Sequence, residues 1–155
     1  MEISFEKFIL QLHDANVRFI VAGGFAVALN GFARMTEDID LLLDLEPANL
    51  QRFISFMECY GEGNAKGLTI EELADESPGC IRIIEEFPID LFVRLGEKSY
   101  QQWIDQTICI KIENRSILSL NRTALIEMKK SSNREKDQID VSALQRLIEK
   151  DSQGH

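Results

Sequence analysis

Two carboxylates separated by one apolar residue, Asp38-Ile39-Asp40, stand out in this 155-residue chain as groups that could do chemistry. Side chains alternate along a strand, so both aspartates point to one face while Ile39 enters the core. Carboxylates held that close repel each other, and a divalent cation best accommodates their ionised forms. Gly23-Gly24 lies upstream, between an apolar run and a short apolar segment. Glycine there lets the backbone turn sharply and approach a ligand, and a helix N-terminus beyond it offers free N–H groups to an anion. Ile89-Asp90-Leu91 supplies a third carboxylate between apolar neighbours. If the strands adjoin, Asp38, Asp40 and Asp90 form a cluster able to hold two Mg²⁺ (or Mn²⁺) ions. One ion would grip a triphosphate and the other would activate an acceptor hydroxyl for in-line attack.

Each feature has a plainer alternative. Gly-Gly is common in turns, an acidic strand end can simply be solvated, and Asp90 could face outward from an ordinary hairpin. The combination carries the argument.

These groups need elements to hold them. Phe5, Phe8, Ile9 and Leu12 recur at helical spacing, which predicts a helix over Ser4–Asp14. Val17–Ala22 reads as a buried strand, Phe25–Asn30 as a short helix closed by Gly31, and Asp38–Asp44 as the acidic strand. Pro47 suits the first turn of a helix reaching Tyr60. Gly61–Gly67 reads as a surface loop and Thr69–Asp75 as a short helix. Cys80–Glu85 and Pro88–Arg94 read as strands around a tight turn, and Glu97–Gln106 as a helix. Ile108–Ile112 and Ser116–Leu120 pair across Glu113-Asn114. Asn121 caps a helix to about Lys130, and a last helix spans about Arg134–Lys150, with residues 151–155 as a frayed tail. This order predicts one domain over residues 1–150, a mixed sheet covered by helices in an α/β or α+β fold.

Composition narrows the function. With 45% hydrophobic residues the chain can build a real core, and a net charge of -9 excludes a fold-wide affinity for nucleic acid or anionic membrane. Cys59, Cys80 and Cys109 form no C-x-x-C pair and read as reduced, mostly buried thiols. No signal peptide or membrane-length apolar run is visible, so a cytoplasmic protein is expected.

Val21-Ala-Gly-Gly24, a spacer of thirteen residues, Asp38-Ile-Asp40 and the distant Ile89-Asp-Leu91 together resemble the motif of the DNA polymerase β-type nucleotidyltransferase superfamily. The longer strings Gly23–Leu41, with Arg34 and Thr36, and Lys129–Asp140 are similar to small bacterial nucleotidyltransferases of the abortive-infection and toxin–antitoxin type. The resemblance covers roughly residues 17–148, though the middle third matches only at Asp90. It implies a nucleotidyltransferase-type sheet flanked by helices, with further helices at the C-terminus. It also implies transfer of NMP from an NTP to a hydroxyl of a tRNA, protein or small molecule. Asp38 and Asp40 would bind both metals, and Asp90 would complete the acceptor-side metal site. Gly24 departs from the many members that carry serine there, so a phosphate contact at that position must use backbone N–H.

Arg34 could clamp phosphate or balance the local acids. In the last helix Asp137, Asp140, Val141, Leu144 and Ile148 share one face, so two carboxylates begin a stripe that should pack inward. Lys129, Arg134 and Lys136 are the nearest cations. Lys129 is the preferred nucleotide-side residue, against a purely structural ion-pair network joining the helices. Two rival functions stand beside transfer. A catalytically silent nucleotidyltransferase-like domain would bind a nucleotide or a protein partner. A glycosyltransferase would use its D-x-D for a sugar nucleotide, but such enzymes usually place more nucleotide-binding chain before the acidic pair. The expected partners are an NTP, an unnamed acceptor, and an antitoxin or a homo-oligomer mate.

Overall fold

The computed structural model describes residues 3–77 and 79–153, which form seven α-helices and a six-stranded mixed sheet. Helix α1 (Ile3–Asp14) leads into β1 (Phe19–Ala22), α2 (Gly23–Leu29) and β2 (Ile39–Leu43). Helices α3 (Pro47–Glu58) and α4 (Ile70–Ala74) follow, then the hairpin β3 (Ile81–Ile84) and β4 (Pro88–Phe92). A small ribbon, β5 (Arg94–Leu95) with β6 (Lys98–Ser99), precedes α5 (Tyr100–Trp103) and a 3₁₀ turn, Ile104–Gln106. The chain ends with β7 (Thr107–Ile112), β8 (Arg115–Leu120), α6 (Arg122–Lys129) and α7 (Glu135–Gln153).

The sheet order is β3-β4-β2-β1-β8-β7. The two central strands, β1 and β2, run antiparallel, while β2 pairs with β4 and β1 with β8 in parallel. Both central strands are apolar without alternation, because helices or loops cover both their faces: all of β1 is buried, and in β2 only Asp40 is partly exposed. The core continues into α1 and α3 through Phe8, whose ring lies 4.9 Å from Tyr60 and 6.0 Å from Phe56.

Several sequence signals are realised in detail. Asn121 caps α6, its Oδ1 accepting from the Ala124 N–H at 2.9 Å, and Thr69 with Glu72 forms a capping box on α4. Glu113 and Asn114 both adopt positive φ, as a two-residue hairpin turn requires. The helix expected over Glu97–Gln106 is cut short. Gly96 and Glu97 take positive φ and close the β5–β6 ribbon, so helical structure starts only at Tyr100. Residues 151–153, read as part of a frayed tail, continue α7, and Arg122 pairs with Asp151; Gly154 and His155 lie outside the described residues. The cysteines are free, but Cys59 and Cys109 are exposed rather than buried, the first at the C-cap of α3 and the second on the edge strand β7. No described helix is long and apolar enough to cross a membrane.

Candidate active site

A single row of register partners across four strands builds the site. Ala22 of β1 stands opposite Asp40 of β2, Asp40 opposite Asp90 of β4, and Asp90 opposite Arg82 of β3. Residues in one such row share a face of the sheet, so the parallel pairing of β2 with β4 alone brings two distant aspartates together. Asp38, one residue before β2, adds the third carboxylate: one oxygen from each of Asp38, Asp40 and Asp90 lies within 4.8 Å of the others. Thr36 steadies the entry to β2 by donating its hydroxyl to the Asp38 carbonyl at 3.2 Å.

Both glycines lie close against side chains of the site. Gly23 opens α2 with φ +65°, a left-handed conformation that L side chains rarely adopt. A Cβ there would overlap Asp40 Oδ2 and sit 2.8 Å from its Cγ. A Cβ on Gly24 would lie 2.8 Å from Arg34 Nη2 and 2.9 Å from Thr36 Oγ1. The backbone at Gly23 is thus pressed directly against the acidic row. Ala22, at the N-cap of α2, supplies no side-chain acceptor to the first turn of the helix.

Crowding shows in the charge state of Asp40. Burial, then the neighbouring charges of Asp38 and Asp90, push its carboxyl up to about 7. Three carboxylates offering hard oxygen donors at one point, one of them discouraged from ionising without a counter-charge, could hold a divalent cation.

Arg82 was not foreseen. Its Nε donates to Asp90 Oδ1 at 2.8 Å, and its Nη2 donates to Asp90 Oδ2 at 2.8 Å and to Asp38 Oδ2 at 3.1 Å. Those carboxylates, Asp90 foremost, raise the guanidinium above its ordinary value and keep it charged. The β3–β4 turn contained the signal: pairing Ile84 with Pro88 across residues 85–87 puts Arg82 opposite Asp90.

Behind the acidic row stands the C-terminal cluster. Asp137 and Asp140 are both buried on α7, as the helical stripe predicted. Lys129 Nζ reaches Asp137 Oδ1 at 3.0 Å and Asp140 Oδ2 at 3.2 Å, and Arg134 Nε donates to Asp137 Oδ2 at 3.0 Å. Burial would raise Asp137, but the bonds from Arg134, Ser132 and Lys129 outweigh it and hold the carboxyl well below the usual range. Arg34 arrives from the α2–β2 connection and grips Asp140 with both ends of its fork, at 2.7 and 2.8 Å. The local acid it balances is therefore Asp140, 106 residues away in sequence. Lys136, the other cation considered, is exposed.

The two clusters meet across a cavity of about 250 Å³. Gly23 and Asp40 form one wall, Lys129 and Arg134 another, and Phe92 and Met128 add apolar surface. Of the residues expected to form the site, Asp38, Asp40, Asp90 and Gly23 converge. Lys129 lines the cavity together with Gly23 and Asp40, and Arg34 and Gly24 adjoin each other.

No protein-family model matches the sequence, and no curated protein matches it either. Among solved structures the chain is similar to the lincosamide antibiotic adenylyltransferase LnuA in its lincomycin-bound crystal structure. The TM-score is 0.64 over 94% of this chain and 97% of that one, at 18% sequence identity. With its six-stranded mixed sheet and flanking helices, this chain has the fold of a nucleotidyltransferase.

Proposed function

We propose that the domain transfers a nucleoside monophosphate from an NTP to a hydroxyl of a small molecule. The observation that carries this is the convergence of Asp38, Asp40 and Asp90 beside Gly23 on a nucleotidyltransferase fold. The acceptor oxygen attacks the α-phosphorus, the bond from that phosphorus to the bridging oxygen breaks, and pyrophosphate leaves. Bound divalent ions would neutralise charge on the triphosphate and acidify the acceptor hydroxyl. Asp38 and Asp40 would hold those ions, and Asp90 would complete the acceptor-side set and help orient the nucleophile. Backbone N–H groups near Gly23-Gly24 cradle phosphate. Lys129, only 12% exposed at the rim of the cavity, offsets phosphate charge. Arg34 supports Lys129 through Asp140, the carboxylate that both cations hold.

A small acceptor is favoured because the likeness extends over 97% of a neighbour named for a lincosamide antibiotic substrate. A toxin-type enzyme acting on a tRNA or protein, held in check by an antitoxin or a second copy of the chain, would use the same donor chemistry. The decisive experiment incubates the chain with Mg²⁺ and each α-labelled NTP, against a panel of hydroxyl compounds and against cell extract. A labelled small product with pyrophosphate release is expected, and label on RNA or protein would favour the toxin-type reading. Asp38→Ala and Asp40→Ala should abolish transfer while the domain stays folded; transfer persisting in both sinks the mechanism. One observation favours the catalytically silent reading, namely that Arg82 already neutralises part of the triad. NTP binding with no pyrophosphate from any acceptor would support it.

A further inference from the structure

Every hydrogen bond of the Arg82 side chain among the described residues goes to the triad. The guanidinium engages both oxygens of Asp90, and so whichever of them would ligate a metal, together with one oxygen of Asp38. An oxygen lone pair pointed at an N–H is not available to an ion, and a guanidinium repels a divalent cation a few ångströms away. Arg82 can also leave without disturbing the core. Its side chain is 52% exposed and lies on the edge strand β3, which Ile83 anchors from the other face.

We propose that Arg82 is the resident counter-ion of the triad, competing with the divalent metal for Asp38 and Asp90 and, once displaced, pairing with the phosphates of the incoming nucleotide. The proposal rests on the metal-binding reading above. It gives one residue opposite effects on two ligands, which a merely structural arginine would not have. Arg82 opposes metal entry by occupying carboxylate oxygens, and it assists nucleotide binding by supplying a cation on a long, flexible stem.

The test is calorimetric titration of the nucleotide-free full chain with Mn²⁺, followed by titration with each of the four NTPs in saturating Mn²⁺. Removing a neighbouring unit charge shifts an ionic equilibrium by about tenfold or more, so Arg82→Ala and Arg82→Gln should bind Mn²⁺ about tenfold more tightly than wild type. The same variants should bind the preferred NTP more weakly. Unchanged or weaker Mn²⁺ binding overturns the proposal, as does a shift of both ligands in the same direction. Asp38→Asn separates the two layers of inference. If Mn²⁺ binds and Asp38→Asn abolishes it while Arg82→Ala matches wild type, the counter-ion proposal alone falls. If neither wild type nor Arg82→Ala binds Mn²⁺, the metal reading falls with it. Should the Arg82 variants unfold, NMR of the Arg82 Nε–H in the wild-type chain gives the answer. The proton should be protected from exchange without metal and lose that protection with Mg²⁺; protection unchanged at saturating Mg²⁺ overturns the proposal.

Discussion

Gly23→Ala is the sharpest single perturbation of the site, because its cost has two separable parts. The first is backbone strain. At φ +65° an L residue costs about 1–2 kcal/mol, partly offset by about 0.4–1 kcal/mol from the reduced freedom of the unfolded chain. The second is steric. The new Cβ would overlap Asp40 Oδ2 and lie 2.8 Å from Asp40 Cγ, so the carboxylate must turn away from its rotamer at roughly 0.5–1.5 kcal/mol. The net loss is about 1–2.5 kcal/mol, which for a chain of this size lowers Tm by about 3–8 °C. Urea and thermal unfolding in EDTA measure it. Repeating the substitution in an Asp40→Ala background isolates the steric part. With no carboxylate to displace, the penalty of Gly23→Ala should shrink by about 1 kcal/mol. Equal penalties in the two backgrounds would refute the contact between Gly23 and Asp40, and a neutral Gly23→Ala would refute the left-handed turn itself.

Two further outcomes are expected. Because the Asp40 carboxyl is raised to about 7 while an unfolded aspartate titrates near 4, the native state holds a proton that the unfolded state has released. Metal-free stability should therefore fall as pH rises from about 4 to 7, by at most about 4 kcal/mol, and level off above. Asp40→Asn should remove that slope in urea denaturation across the range, and an unchanged slope would show that Asp40 is not its source. Arg34→Ala withdraws the bidentate partner of the fully buried Asp140 and should cost about 3 kcal/mol. Arg34→Lys should recover only part of this, since a lysine cannot form the fork; full recovery in a chemical denaturation series would argue against a geometric role.

Much of the candidate site's geometry was legible because it depends on short-range rules. Alternation put Asp38 and Asp40 on one face, and helical periodicity put Asp137 and Asp140 on the buried stripe of α7. That β2 lies directly beside β4 was assumed rather than read, since parallel pairing leaves no local mark on either strand. The salt bridge from Arg34 to Asp140 joins positions 106 residues apart, and nothing in either segment names the other. Arg82 is a different case. Counting back from the β3–β4 turn would have found it, but a charged residue on an edge strand passes for ordinary surface. The helix expected over Glu97–Gln106 starts late, at Tyr100, for a local reason: Gly96 and Glu97 reverse the chain in left-handed conformations.

The placement of Arg82 on an outermost strand also shapes how local stability is distributed. β3 is bonded on one side only, to β4, so opening it does not require breaking the central pairings β2–β4 and β1–β2. Amide exchange should therefore be faster along residues 81–84 than along 19–22 or 39–43, with the acid-bearing strands near the global limit. Asp40 and Asp90 thus sit on strands paired on both sides, and their counter-ion on a strand paired on one side only. Whatever pairs with or releases the free edge of β3 acts on the electrostatics of the row without touching an aspartate.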